Sequence, residues 1–252
     1  MTRYPFGALI IHGFTSSLDC VSPIGPPVEA LGLPTRMPVL RGHGAASPEA
    51  LRTVQWRDWV EDAEAALQDL LTEADQAIII GHSMGTLVTI TLAAEHAAGG
   101  IIDSIVLAAP AVQLASPLAP GRPFSFLIPV LTRVLKKWDM PPNYADKSLE
   151  QYDTNYAYAP MEAVREFLIF SRAARQRLPE INVPALILQS RNDSTVAPEA
   201  AEIVYGELAT PPEAKRIVWF EETEHEMFRD CERDAVVEAI ADYVRVRVGV
   251  PA

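Results

Sequence analysis

The 252-residue sequence contains only two cysteines, Cys20 and Cys231, and they stand far apart. Small disulfide-stabilised domains need several cysteines, and zinc sites need cysteines and histidines at short spacings that neither residue has. The sequence therefore indicates neither a disulfide framework nor a metal site. Two unpaired thiols are typical of a reducing compartment, so we expect a cytoplasmic protein.

Basic residues are scarce as well, since Lys and Arg total 21 against 33 Asp and Glu, for a formal net charge of −12. Nucleic acids and anionic lipids are bound through basic patches, so we expect no nucleic-acid partner and a neutral small molecule as ligand. No apolar run reaches the ~18 residues of a membrane span, and the first residues lack the apolar core of a signal peptide. We expect no stable membrane insertion. The sequence indicates no particular oligomeric state.

What the chain does contain is a series of short apolar runs, each followed by a turn and a segment of helical period. Hydrophobic residues make up 49% of the chain, enough for the core of one large domain. Because the runs are continuous, both faces of each strand should be covered, as in a mostly parallel sheet flanked by helices. This α/β class has strands predicted at residues 6–11, 35–40, 77–80, 104–108, 185–189 and 216–220.

Two segments, residues 56–71 and 236–243, have the three- and four-residue apolar spacing of amphipathic helices. Trp56 and Trp59 continue the apolar stripe of the first helix. We therefore assign both tryptophans to the core rather than to a cofactor site.

The stretch from Leu114 to Pro160 breaks this rhythm with many prolines among apolar and aromatic residues. Proline is not tolerated inside regular helices, and the segment is far longer than the usual connection in an α/β unit. Such insertions are often lids or binding loops, although a surface excursion with its own small core is an alternative. We divide the chain into a core, residues 1–113 and 161–252, and a lid insertion, residues 114–160, whose aromatic residues are suspected substrate contacts. The prolines that break the rhythm are Pro117, Pro120, Pro123, Pro129, Pro141 and Pro142. The apolar and aromatic residues among them are Phe124, Phe126, Leu127, Trp138, Tyr144, Tyr152, Tyr156 and Tyr158.

The pentapeptide Gly81-His82-Ser83-Met84-Gly85 joins the predicted strand at 77–80 to a helical stretch. A serine at such a turn lies at the carboxyl edge of the sheet and at a helix N-terminus, where α/β proteins bind ligands. Glycines at positions 81 and 85 remove side chains that would collide in a sharp reversal. G-x-S-x-G between strand and helix is the pattern of a nucleophile elbow, with a simple helix cap as the alternative.

A nucleophilic serine needs a histidine base, and the chain offers five. His12, His43, His82 and His96 precede or closely flank the elbow. His225 alone lies on a late loop at the carboxyl end of a predicted strand, so we predict it as the base, with a plain surface histidine as the alternative. The side chain of His82 should point away from the serine, and His96 should lie at the surface.

The acid that orients the histidine is expected between Ser83 and His225 in sequence. Asp193 is the single carboxylate in the loop after the predicted strand at 185–189. Glu222, Glu224 and Glu226 share the loop of His225 and are poorly placed to receive its Nδ1–H, and Asp153 lies in the irregular insertion. The resulting order of Ser83, Asp193 and His225 is the one associated with this elbow.

Acyl transfer also needs donors for the oxyanion that develops on the former carbonyl oxygen. The first predicted strand runs into His12-Gly13-Phe14, which can present the backbone N–H of Phe14 beside that of Met84. We predict these two amides as an oxyanion hole. A simple tight turn is the alternative for His12-Gly13.

Five segments together resemble the α/β-hydrolase superfamily over nearly the whole chain. They are His12-Gly13-Phe14, Arg41-Gly42-His43-Gly44, Gly81-His82-Ser83-Met84-Gly85, Asn192-Asp193 and Glu224-His225. In that superfamily the segment matching residues 41–44 is usually structural and shapes the pocket floor. The chain is most similar to bacterial carboxylesterases and monoacylglycerol lipases with a short lid, although it has Thr86 where these often have a second glycine.

The resemblance implies an α/β-hydrolase fold and hydrolysis of short- to medium-chain carboxylic esters through an acyl-enzyme on Ser83. It implies no cofactor and no metal. Thioesterase, amidase, carbon–carbon hydrolase and perhydrolase activities use the same three residues and stay open. A ligand-binding receptor with little turnover is an alternative of another class.

Overall fold

The computed structural model describes residues 3–119, 121–124, 126, 131 and 134–250. Its strands are β1 (Tyr4–Ile11), β2 (Thr35–Arg36), β3 (Ala74–His82), β4 (Ile102–Ala108), β5 (Lys137–Asp139), β6 (Tyr158–Pro160), β7 (Ala185–Ser190) and β8 (Lys215–Phe220). Six of them form a central sheet in the order β2-β1-β3-β4-β7-β8, and every neighbouring pair is parallel. β5 and β6 form a separate antiparallel pair.

The helices are α1 (Gly25–Glu29), α2 (Trp56–Leu70), α3 (Met84–Glu95), α4 (Met161–Arg175), α5 (Glu199–Glu207) and α6 (Arg233–Arg247). Within the ranges given above, no helix has both the length and the apolar character that crossing a bilayer requires.

Successive residues of the central strands enter two different cores, one on each face of the sheet. Leu9 and Ile79 pack in the core that contains α2, α3 and α4, whereas Ile10 and Ile80 pack in the core that contains α1 and α6. Side chains alternate along a strand, so a strand covered on both faces needs apolar residues at every position. The predicted parallel sheet flanked by helices is confirmed.

The two predicted amphipathic helices are α2 and α6. Trp59 is fully buried in the core, and Trp56 stacks on Phe170 of α4 with ring centroids 4.9 Å apart. Both tryptophans therefore pack in the core. In contrast to these surface helices, α3 is buried from Met84 to Ala94, which explains its apolar residues on all sides.

The strand predicted at residues 35–40 is wrong beyond Arg36, because β2 contains only Thr35 and Arg36. Pro38 lacks the N–H that a longer ladder would need, and β2 is an edge strand where pairing ends easily. The backbone N–H of Leu40 instead donates to Nε2 of His12.

The insertion predicted at residues 114–160 follows β4 and precedes α4. It contains the β5–β6 pair and a short 3-10 helix, Lys147–Tyr152. The backbone N–H of Tyr156 donates to Thr15 O at 2.8 Å, and the Tyr156 hydroxyl contacts Gly42 O at 3.0 Å. The segment is thus attached to the loops that follow β1 and β2. Pro120, Leu127 and Pro129 lie outside the described residues.

The two ends of this insertion are tied to the body of the fold. Leu114, its first residue, forms an isolated antiparallel bridge with Val196 and packs against the core that contains α2, α3 and α4. The backbone N–H of Ala115 also donates to Thr195 O at 2.9 Å. Pro160, the last residue, ends β6 directly before α4. Leu114 therefore packs as part of the core, although the division of the chain assigns it to the lid.

Candidate active site

Ser83 lies between the end of β3 and the start of α3, with φ of 52° and ψ of −116°. Non-glycine residues rarely adopt this conformation, which requires support from the surrounding structure. A Cβ atom on Gly81 would lie 2.4 Å from Gly85 O, and a Cβ on Gly85 would lie 2.2 Å from Ile11 O. Both glycines are therefore required by close backbone approach. The Ser83 side chain does not cap α3, and its hydroxyl points towards His225 instead.

The structure brings Ser83, His225 and Asp193 into one chain of hydrogen bonds. Oγ of Ser83 lies 2.9 Å from Nε2 of His225, and Nδ1 of His225 lies 2.9 Å from Oδ2 of Asp193. All three residues are at most 7% exposed. The other carboxylate oxygen of Asp193 accepts the N–H groups of Thr195 and Val196, which fixes its orientation. A neutral His225 that donates Nδ1–H to Asp193 presents the lone pair of Nε2 to the serine hydroxyl.

The charges around His225 favour its protonated form. Burial alone would lower the pKa of His225, but Asp193, Glu226 and Glu224 together raise it above the ordinary value. Burial by itself raises the pKa of the Asp193 carboxyl, yet His225 and the two backbone donors lower it overall. Asp193 is therefore ionised, and it stabilises a positive charge on the imidazole.

The other histidines occupy different positions. His82 points away from the serine hydroxyl, and its Nε2 lies 3.0 Å from the backbone oxygen of His225. Burial lowers the pKa of His82 to about 3, so its neutral ring donates to that oxygen and holds the loop. Nε2 of His96 contacts Glu64 at 2.8 Å between α3 and α2. His12 and His43 are buried.

The two predicted oxyanion donors belong to segments next to Ser83. The turn at Gly13 passes so close that a Cβ there would be 3.2 Å from the Cβ of Ser83. Phe14 follows Gly13, and its ring stacks on Phe167 with centroids 4.9 Å apart. Met84 is the first residue of α3, where a backbone N–H has no partner within the helix.

The Arg41-Gly42-His43-Gly44 segment packs behind this turn. The Arg41 guanidinium binds Asp58, Glu61 and Asp62 on α2, and the His43 ring contacts the ring of Phe14 edge to face. These contacts give the segment a packing role beneath the site.

Thr86, where similar proteins often have glycine, ties the elbow to the strand beside it. Its hydroxyl donates to Ser83 O and accepts the N–H of Ala111, which follows β4. The departure from the family pattern therefore adds a connection without disturbing the turn.

A cavity of about 70 Å³ opens beside Ser83 and His225. Its apolar wall includes Phe14 and Phe167, and its polar wall includes Asn155 and Glu226. The sequence considers Glu226 only as a partner for His225 and gives no indication of Asn155, because no pattern connects two residues that are 71 positions apart. From residues 114–160 the lining residues are Met140, Pro141, Asn143, Asp153 and Asn155.

The aromatic residues between Leu114 and Pro160, suspected as substrate contacts, lie away from this cavity. None of those that the structure describes lines it, and neither does Leu114 itself. Tyr144 is buried and lines a separate groove of about 820 Å³ against α1 and α6. This groove is larger than the cavity beside Ser83, but Ser83 does not line it. The candidate active site is therefore identified by its hydrogen bonds and not by the size of its cavity. Three further aromatic side chains are more than half exposed: Phe124, Phe126 and Tyr152.

The chain is similar to known lipases and esterases over most of its length. The chain is 24% identical to a thermostable monoacylglycerol lipase of Bacillus sp. (strain H-257) over 245 residues, which cover 97% of this chain and 92% of that protein. It is 24% identical to a carboxylesterase of Bacillus subtilis (strain 168) over 237 residues, covering 94% and 91%. A solved structure from work on the metagenome-derived lipolytic enzymes LipS and LipT has the same fold, with a TM-score of 0.86, 23% identity and coverage of 97% and 95%.

The family comparison covers most of the chain. The model of the family Hydrolase_4, described as serine aminopeptidase, S33, matches residues 8–232. This range contains the elbow, the loop of Asp193 and the loop of His225. The protein therefore belongs to the Hydrolase_4 family of α/β hydrolases.

Proposed function

We propose that the protein is a serine hydrolase that cleaves carboxylic esters of short to medium acyl chain. The observation that carries the proposal is the hydrogen-bonded chain from Ser83 through His225 to Asp193 beside a cavity. Monoacylglycerol lipase and carboxylesterase are the names of two relatives that span nearly the full chain, which supports an ester as substrate.

In the proposed mechanism, Ser83 Oγ attacks the ester carbonyl while His225 Nε2 takes its proton. Asp193 holds the tautomer of His225 and stabilises the imidazolium. The N–H groups of Phe14 and Met84 stabilise the tetrahedral oxyanion. His225 then gives its proton to the leaving alcohol, an acyl-enzyme remains on Ser83, and a water activated by His225 releases the acid.

Residues 114–160 serve as a lid in this proposal, on a core formed by residues 1–113 and 161–252. Three neighbouring residues of the insertion, Met140, Pro141 and Asn143, line the cavity beside the serine, which supports a role in covering the substrate. The two cysteines are both free, which supports a cytoplasmic location.

The decisive test is covalent labelling by a fluorophosphonate, with the adduct mapped by mass spectrometry. We expect modification at Ser83 and none in Ser83→Ala. The same variant should lose ester hydrolysis by at least about 10⁴-fold, because the nucleophile and base act as a unit. Ser148→Ala is the matched control, since the Ser148 hydroxyl contacts Asp146 at the surface.

A panel of nitrophenyl esters, thioesters and amides separates ester hydrolysis from the other chemistries. Labelling at a different residue would contradict the site assignment. Turnover of amides as fast as that of esters would contradict the proposed reaction, and labelling followed by no turnover would favour a receptor.

A further inference from the structure

Asp230 is a buried carboxylate on the loop between β8 and α6 that also carries His225. It is only 2% exposed. In the described part of the chain its carboxylate accepts four backbone N–H groups. Burial by itself raises the pKa of Asp230, but these donors lower it overall, so the group is ionised. Its hydrogen bonds are therefore of the strong, charge-assisted kind.

Each carboxylate oxygen of Asp230 binds one N–H group from the insertion and one from its own loop. Oδ2 accepts the N–H groups of Ala145 at 2.7 Å and Glu224 at 2.8 Å. Oδ1 accepts those of Asp146 at 3.1 Å and Cys231 at 2.8 Å. The carboxylate therefore joins the two segments twice.

The bond from Asp230 to Glu224 acts on the backbone directly before His225. The Glu224 carboxylate in turn accepts the N–H groups of His225 at 3.1 Å and Ser194 at 3.0 Å. Ser194 follows Asp193 in the chain. The backbone at the base is thus tied to the insertion through Asp230 and to the loop of the acid through Glu224.

The same stretch of the insertion also contacts the loop of Asp193. The amide nitrogen of Asn143 donates to Oγ1 of Thr195 at 2.7 Å, and the N–H of Thr195 donates to Oδ1 of Asp193 at 2.9 Å. Residues 143–146 are therefore bonded to the loop of the acid and to the loop of the base. The distance between acid and base depends on the relative position of these two loops.

We propose that Asp230 is a positioning residue for the catalytic histidine. It fastens the loop of His225 to residues 145–146 of the insertion. The insertion thereby fixes the distance of the histidine from Ser83 and Asp193. This inference rests on the proposed ester hydrolysis, and it gives the insertion a part in aligning the catalytic residues. Such alignment matters because a misplacement of about 1 Å can cost about 100-fold in rate.

The test measures kcat and KM for nitrophenyl butyrate in Asp230→Asn and Asp230→Ala. Asparagine has nearly the same size, but its NH2 group must face one pair of N–H donors, so half of the bonds are lost. We expect kcat to fall about tenfold or more in both variants, and further in Asp230→Ala. KM should change by less than about twofold, because a misplaced base affects the transition state and not substrate binding.

A second readout is the proton NMR resonance of the Nδ1–H of His225. This proton lies in the hydrogen bond to Asp193, so its chemical shift reports on the geometry of that bond. We expect the resonance to shift or broaden in Asp230→Asn. A merely structural role of Asp230 would lower the free energy of unfolding but leave the resonance unchanged in the molecules that stay folded.

Asp234→Asn is the matched control, since it removes the same charge from a side chain that is 95% exposed and contacts Arg233. It should keep the wild-type kcat, KM and resonance. In every variant, kcat is expressed per active site titrated with a fluorophosphonate.

A wild-type kcat and resonance in folded Asp230→Asn would overturn the positioning role. A change confined to KM would overturn it as well, because the effect would then lie in substrate binding. Loss of soluble protein in both Asp230 variants would assign the residue to the fold alone. Failure of the proposed function itself would look different, because the wild-type protein would turn over no ester and Ser83 would not label.

Discussion

His225 is surrounded by more negative charge than its partner Asp193 alone provides. Glu224 and Glu226 flank it in the chain, and both carboxylates act with Asp193 against the effect of burial to raise its pKa. The ring of His82, 5.2 Å away between centroids, is neutral and adds no charge. A general base must be deprotonated to accept the serine proton, so a raised pKa moves the working range of the proposed enzyme to higher pH.

The first prediction concerns this pH dependence. We expect kcat/KM for a nitrophenyl ester to rise with pH through an apparent pKa above the ordinary value of His, about 6.5. Glu224→Gln should move this limb to lower pH, because removing a nearby negative charge disfavours the imidazolium. The glutamine oxygen can still accept the backbone N–H groups of Ser194 and His225 that Glu224 now binds.

The control for this experiment is Glu222→Gln, whose carboxylate is exposed. Its pH profile should match that of the wild type. If Glu224→Gln also leaves the profile in place, Glu224 does not contribute to the raised pKa of His225.

The positions of Ser83, Asp193 and His225 could be predicted because each follows a strand of a parallel sheet, and such strand ends meet at one edge. Glu226 and Asn155 could not be predicted in the same way. Their contact depends on where the chain around Asn155 lies relative to that edge, and the sequence there has no periodicity from which a register could be derived. The contact between these two residues is seen only in the folded structure.

At the level of elements, the elbow depends on the close packing of β1, β3 and α3. Gly85, in the first turn of α3, lies against the backbone oxygens of Ile11 and His12 at the end of β1. This contact positions the N-terminus of α3, and with it Ser83, above the sheet. The sequence predicts the need for both glycines. The strand predicted at residues 35–40 is too long, because Pro38 cannot donate to a ladder and an edge strand ends easily.

The second prediction tests this packing with Gly85→Ala. The new Cβ would lie 2.2 Å from Ile11 O and 2.8 Å from His12 O, and neither backbone atom can move without distorting a central strand. We expect a loss in the free energy of unfolding of at least about 3 kcal/mol, or no soluble protein at all. Urea denaturation followed by circular dichroism measures the change.

Gly206→Ala is a matched control, since Gly206 lies in α5 and its Cβ would meet nothing within 4 Å. Alanine is favoured over glycine in helices, so this variant should keep or raise the stability by up to about 1 kcal/mol. Equal stability of the two variants would show that the elbow relaxes more easily than the distances indicate.

For the whole molecule, the two cores on opposite faces of the sheet share the same strands. Ile10 and Leu9 are neighbours in β1, yet they belong to different cores, so neither face can open without disturbing the other. Cys20 is part of the core with α1 and α6, and it is only 1% exposed. Cys231 is exposed. The two thiols therefore report on surface access and on opening of the core.

The last prediction uses these thiols in a titration with a disulfide reagent. Cys231 should react in the native protein. Cys20 should react only as fast as the protein opens, because it is buried, its Sγ accepts the Ser16 hydroxyl, and burial raises its pKa to about 12. In Cys231→Ser only the slow reaction should remain, and its rate should increase with urea with the slope of global unfolding. Rapid reaction of Cys20 without urea would instead show that the loop between β1 and α1, which carries Phe14, opens locally while the rest of the sheet stays folded.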